Sequence, residues 1–291
     1  MNVGARFEAL LENLKLTSEQ TSDGDTKHKG VRSCLNRHYY SLNSETANSM
    51  LVGSWGKTTR VRPPRDIDVL FTLPFSVYQR FEQRPGNKQS QLLQEVKGIL
   101  KSSYPSTDIS GDGQVVAVPF ASYHVEVVPA IALQGGQFWI CDTHDGGRYK
   151  TTDPVAEIAA VNASDAASKG NTRHLIRMMK CWQGYCTVPM KSFWLELLAI
   201  DFMRTWPHAG HTSVYYDWMT RDFFAFLVTK AGWGVTVPGT QETIWLGDVW
   251  KSRAESALAR ASRACDNESQ NYPCLAGEEW QKIFGTYVPM C

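Results

Sequence analysis

No stretch of the sequence approaches the roughly 18–20 consecutive apolar residues that a membrane-spanning helix needs, so a helical membrane protein is excluded. The opening residues, MNVGARFEALLENLKL, carry charges within an apolar period and show neither the apolar core nor the small-residue cleavage site of a secretory signal. A cytoplasmic protein is therefore expected. A dominant charge is missing too. Thirty Lys and Arg against 29 Asp and Glu leave a formal net charge of +1, too small for a general hold on long nucleic acid, so any phosphate binding should be local. Internal repeats and low-complexity segments are absent, which excludes solenoids and linker-type disorder. Cysteine is sparse: seven, at 34, 141, 181, 186, 265, 274 and 291, odd in number and scattered through a chain too large to need covalent staples. All seven are expected as reduced thiols.

Apolar and aromatic residues are plentiful. At 43% hydrophobic, with 10 Trp, 11 Tyr and 12 Phe, the 291 residues can build one large core or two modest ones. Phe7, Leu10, Leu11 and Leu14 have the i, i+3, i+4, i+7 spacing of an amphipathic helix; a polar break is expected over 17–25 and a second helix over about 27–42. Short apolar runs at 67–73, 115–120, 123–131 and 138–140 predict strands. Between the first two lies a helical stretch with Leu92, Leu93, Val96, Ile99 and Leu100 on one face. From Asp153 onward the period is helical, at 154–167, 171–185, 191–206, 213–231, 248–269 and 277–284, with Pro154 suited to a first helical position. Residues 232–243, rich in Gly, Pro and Thr, read as a loop. The tryptophans at 182, 194, 206, 218, 233, 245 and 250 fall in otherwise apolar stretches, and most are expected in the core of the helical part. The expected class is α+β: a mixed sheet with N-terminal helices over 1–150, a C-terminal helical lobe over 151–291, and a cleft between them.

The richest stretch begins Gly53-Ser54-Trp55-Gly56-Lys57, continues through Arg60, Arg62 and Arg65, and feeds a strand opening Asp66-Ile67-Asp68. Side chains alternate across a strand, so Asp66 and Asp68 share one face while Ile67 and Val69 point to the core. Two carboxylates on one face suit Mg²⁺, a hard ion that takes oxygen ligands from one or two carboxylates plus substrate phosphates. A two-metal displacement calls for a third acid. Glu126, in the apolar run Tyr123-His124-Val125-Glu126-Val127-Val128-Pro129, offers one, since a carboxylate in mid-strand needs a metal or cationic partner. Singly, each piece is ordinary: Asp-x-Asp occurs at strand edges, Gly-Ser in any turn, and Glu126 could face solvent. The order of the pieces is what is specific.

That order resembles the polymerase-β-like nucleotidyltransferases that include cyclic GMP-AMP synthase, 2′-5′-oligoadenylate synthase and the bacterial oligonucleotide cyclases called CD-NTases. The likeness continues through Lys180-Cys181-Trp182, similar to a Lys-x-Trp helix end, through Ser192-Phe193-Trp194-Leu195-Glu196, similar to a Ser-Phe-x-x-Glu helix, and through Trp280 to Phe284-Gly285. The resemblance implies that Asp66, Asp68 and Glu126 are catalytic and hold two Mg²⁺ ions, with Mn²⁺ as an alternative. It implies that Gly53 and Ser54 bind the donor triphosphate and that Lys180 and Ser192 reach phosphates. From the residues alone, Lys180 could equally be a solvated helix charge and Ser192 a helix N-cap. The implied reaction makes a cyclic di- or trinucleotide from ATP or other NTPs in anti-phage signalling, with an activating regulatory protein and a downstream effector reached through the product. Extension of RNA ends, modification of a protein, and non-catalytic sensing are the rival readings. Two departures matter. Glu126 replaces the more common Asp, and Trp245-Leu246-Gly247-Asp248 stands where some relatives carry Asp-Pro-x-x-Pro, which leaves base contacts open.

Overall fold

Helices α1 (Val3–Asn13) and α2 (Ser18–Tyr40) open the chain in a computed structural model that describes residues 1–291, apart from the side chain of Asp112. The stretch expected as a polar break is instead the start of α2. The Thr17 hydroxyl accepts from the Gln20 N–H while the Gln20 side chain accepts from the Thr17 N–H, a reciprocal cap that satisfies two otherwise orphaned donors. Gly24 persists within this helix because a Cβ there would lie 2.7 Å from the Trp55 ring.

Next come β1 (Ser49–Leu51), α3 (Gly53–Gly56), β2 (Ile67–Thr72), α4 (Phe75–Glu82), α5 (Lys88–Ser103), β3 (Ser110–Asp112), β4 (Val115–Pro119), β5 (His124–Ala132), β6 (Phe138–Asp142) and β7 (Arg148–Thr152). The helical part holds α6 (Pro154–Ala167), α7 (Asn171–Tyr185), α8 (Ser192–Thr205), α9 (Tyr216–Thr229), α10 (Lys251–Ser269) and α11 (Pro273–Phe284). The stretch expected as a loop over 232–243 contributes to a small hairpin, β8 (Gly234–Thr236) with β9 (Thr243–Trp245).

Two compact units emerge: one from residues 16–60 and 64–158, the other from 1–15, 61–63 and 159–291. In the first, β5 is the hub of a mixed sheet, as expected. One of its edges runs parallel to β2, from Ile67↔Val125 to Thr72↔Ala130. Its other edge pairs antiparallel with β4 and then with β6. Strands β1, β3 and β7 extend the sheet outward from β2, β4 and β6. Ile67, Val69, Val125 and Val127 are buried with Leu92, Leu93, Val96 and Leu100 of α5, each contributing on the order of 1.5–3 kcal/mol by leaving water. The alternating positions Asp68 and Glu126 are thereby turned to the opposite face.

The second unit packs α1 among the later helices. Phe7 meets the Trp280 ring edge-on at 5.1 Å, and Trp182 meets Phe224 at 4.9 Å. The expectation for tryptophan holds only in part: Trp182, Trp206 and Trp250 are buried, whereas Trp218, Trp233 and Trp245 are exposed. The last two flank or belong to the β8–β9 hairpin, too small to cover its own rings. The cysteine expectation also needs correcting. Cys274 and Cys291 form a disulfide, while Cys34, Cys141, Cys181, Cys186 and Cys265 remain thiols. The pairing follows from close packing: Gly277 has no Cβ, and the backbone of Met290 occupies that space, which lays the final segment along α11 and brings Cys291 to Cys274.

Candidate active site

The acidic site is assembled by strand register. Asp68 and Glu126 are direct partners across the parallel β2–β5 pair, so their side chains leave the sheet on one face side by side. Asp66, two residues earlier and just ahead of the strand, is exposed, whereas Asp68 and Glu126 are half-buried. Their proximity registers electrically. Burial, and then the carboxylates of Asp66 and Asp68, raise the Glu126 pKa from 4.5 to about 7, because desolvation and like charge both disfavour the ionised form. His124 Nδ1 lies 3.7 Å from Asp66 Oδ1, an exposed pair of small energetic weight that the sequence reading did not single out.

The approach to these acids is built from the α2 end upward. The Asn36 amide donates to the carbonyls of Arg32, Ser44 and Ala47, and the buried Arg32 guanidinium donates to Thr46 O and Ser49. These bonds hold the turn that leads into β1. Strand β1 pairs with β2 up to Leu51↔Val69, and Val52 N–H then donates to Asp68 O at 3.0 Å. Gly53 follows with φ +53°, and a Cβ built on it would lie 2.0 Å from Asp68 Oδ2. Only glycine fits there, both for backbone conformation and for clearance. Ser54, partly exposed, comes next in α3. Trp55 is buried edge-on to His28 and Tyr123, with the Arg60 guanidinium 4.7 Å above its ring. Lys57, also buried, pairs with Glu157 at 2.8 Å. Arg60 therefore has a packing role within the basic loop, and Arg65 is exposed.

Lys180 and Ser192 belong to the helical unit. The Lys180 ammonium is buried and donates to Glu196 Oε1 at 2.6 Å, so it is not a solvated helix charge. Ser192 is the first residue of α8, whose N-cap is Lys191 without a side-chain capping bond. Ser192 is thus not the cap of that helix.

Among the described residues, no three His, Cys, Asp or Glu side chains are already gathered as a closed metal site. The donor chemistry nevertheless fits Mg²⁺, which keeps waters and substrate phosphates in its shell and asks the protein for only a few carboxylates. Glu126 carries the clearest sign of fit: burial first, and then the carboxylates of Asp66 and Asp68, disfavour its ionised form, and a divalent cation beside it would favour that form again.

Comparison with known proteins gives a consistent picture. Residues 1–164 match the model of the Second Messenger Oligonucleotide or Dinucleotide Synthetase domain. A probable cyclic nucleotide synthase of Bacillus cereus (strain VD146) is 22% identical over 276 residues, covering 81% of each chain. Among solved structures, the Vibrio cholerae cyclic AMP-GMP synthase DncV, in complex with the linear intermediate 5′ pppA(3′,5′)pG, aligns with TM-score 0.74 at 14% identity over 99% of this chain and 96% of that one. The CdnC subunit of the Escherichia coli MS115-1 CdnC:HORMA-deltaN complex aligns with TM-score 0.69 at 17% identity, covering 98% of each chain. At such identities these two likenesses establish the fold.

Proposed function

The chain belongs to the Second Messenger Oligonucleotide or Dinucleotide Synthetase family, and on that footing we propose that it joins nucleoside triphosphates into a cyclic di- or trinucleotide second messenger. The observation that carries this reading is the register match of Asp68 with Glu126 beside Asp66. These three carboxylates would hold two Mg²⁺ ions, and when bound the ions would stabilise the attacking and leaving oxygens of an in-line displacement at an α-phosphate. Gly53 keeps space clear beside Asp68, and Gly53 and Ser54 are assigned to the donor triphosphate. Lys180 and Ser192 are assigned to phosphates on the strength of the Lys-x-Trp and Ser-Phe-x-x-Glu likeness. An ammonium has three donors, so the bond from Lys180 to Glu196 is compatible with that role.

A regulatory protein belongs to this reading because the similarly folded CdnC is found in complex with HORMA-deltaN. An effector that responds to the product, and a place in anti-phage signalling in the cytoplasm, complete it. No helix among the described residues is long and apolar enough to cross a membrane.

The test is incubation with radiolabelled ATP, GTP, CTP and UTP and Mg²⁺ or Mn²⁺, with and without crude cell extract, followed by phosphatase treatment and chromatography. A phosphatase-resistant product is expected from the intact protein and none from the D66A/D68A variant. RNA-dependent ladders, or label carried on protein, would replace this reading with another nucleotidyl transfer. Absence of any product under all these conditions would favour a non-catalytic sensor.

A further inference from the structure

A second polar site lies within the helical unit, built by α7, α10 and α11. A cavity of about 210 Å³ is lined by Trp182, Cys186, Arg253, Ala257, Arg260 and Lys282, with Ser256 and Ile283 completing the wall. Arg253, Ser256, Ala257 and Arg260 have the i, i+3, i+4, i+7 spacing of one helix face, so both guanidinium groups are presented to the same space with the small Ala257 between them. Three cationic side chains line this cavity and no acidic one does. Lys282 is paired outward with Glu279 at 2.5 Å, and Glu279 also accepts from Arg263.

Trp182 forms part of the same wall. It is fully buried, and its indole Nε1–H has no acceptor among the described residues. The thiol of Cys186, on the same wall, is within reach of both arginine charges, which oppose the upward push of burial on its pKa. Arg253 and Lys282 are exposed and Arg260 is half-buried, so the cavity opens to solvent among positive charges that attract an anion.

We propose that this cavity is a binding site for a phosphate-bearing small molecule, held by Arg253 and Arg260, with the buried Trp182 ring as part of its wall. Guanidinium forks match phosphate oxygens in bidentate geometry. A water molecule occupies about 30 Å³, so the cavity has room for a phosphate or diphosphate group, and the remainder of any larger ligand would lie outside. The site draws on none of the acidic-site residues and stands whether or not the nucleotidyl-transfer reading holds.

The test uses the full-length chain in EDTA, which removes metal-dependent nucleotide binding. Inorganic phosphate, pyrophosphate and ATP are titrated separately by calorimetry, alongside ¹⁵N spectra in which the Trp182 indole N–H is assigned through W182F. At least one probe is expected to bind one-to-one and to move the Trp182 signal. R253Q/R260Q, both on helix α10 and checked for unchanged melting, should weaken that binding by at least about 30-fold, while D66A/D68A leaves it intact. Preference for pyrophosphate over ATP would identify a free anion, and the reverse a nucleotide carried by its phosphates. Failure of all three probes to bind at millimolar concentration, binding that R253Q/R260Q leaves unchanged, or an unmoved Trp182 signal would each overturn the proposal.

Discussion

Burial and the two aspartates beside it hold the Glu126 carboxyl at about 7 instead of 4.5, and in metal-free protein this displacement has a definite sign. Between those values the unfolded chain releases a proton that the folded chain keeps, so stability falls as pH rises and the loss is complete above about 7. The full linkage is about 3 kcal/mol, and partial exposure of the carboxyl to water reduces it to roughly 1–2 kcal/mol. E126Q should therefore stabilise the metal-free protein at pH 8 and leave it unchanged at pH 4, as read from urea midpoints in EDTA. An equal effect at both values would show that neither burial nor the neighbouring aspartates raise the Glu126 pKa in the folded chain. The Glu126 position was legible in the sequence because an acid interrupts an apolar run. Its elevated pKa was not, since that depends first on burial by the fold and then on two aspartates about sixty positions away.

At the scale of elements, the turn from β1 into α3 sets the geometry of the acids. Gly53 combines positive φ with a would-be Cβ contact of 2.0 Å to Asp68 Oδ2. G53A should displace that carboxylate and cut product formation by about 100-fold, the usual penalty for an ångström-scale misplacement. Its cost in stability should be only about 1–2 kcal/mol, that of a left-handed residue. G136A separates the two effects, because Gly136 has φ +88° but open space around it. It should cost comparable stability and leave activity near wild type. Equal activity loss in both variants would assign the effect to backbone strain alone. The Gly-Ser pair was visible in the sequence as a turn; the reason for its glycine appears only when β1 and β2 are paired.

Across the whole molecule, the first helix is tied to the last segment of the sequence. Arg6, fully buried in α1, pairs with Glu268 and donates to the carbonyls of Pro273, Pro289 and Met290. R6A leaves those groups without their partner and should destabilise the protein by about 3–5 kcal/mol, measured by urea denaturation, with faster amide exchange over 285–291. A loss below about 1 kcal/mol would mean that the disulfide between Cys274 and Cys291 and the surrounding packing hold the segment without it. A basic residue at position 6 looks in sequence like the polar face of an amphipathic helix. Its burial is decided by acceptors more than 260 residues away.

Short-range patterns were sufficient for what depends on neighbours along the chain: the α+β class, the strands that carry Asp68 and Glu126, the six helices after residue 153, and the Gly-Ser and Asp-x-Asp landmarks. Side-chain alternation and helical period are local properties, so they survive in one dimension. Where the reading failed, the missing information was contact between distant segments. The start of α2 is the exception, since the Thr17–Gln20 cap is local and was overlooked within a polar stretch, although the Trp55 ring that makes Gly24 necessary lies farther along the chain. Exposure of Trp233 and Trp245 depended on a hairpin too small to bury them, and the Cys274–Cys291 bond on the space beside Gly277. Residues 1–15 join the unit formed by 159–291 because Phe7 and Arg6 find their partners there, and no composition or period along the chain records a partner that far away.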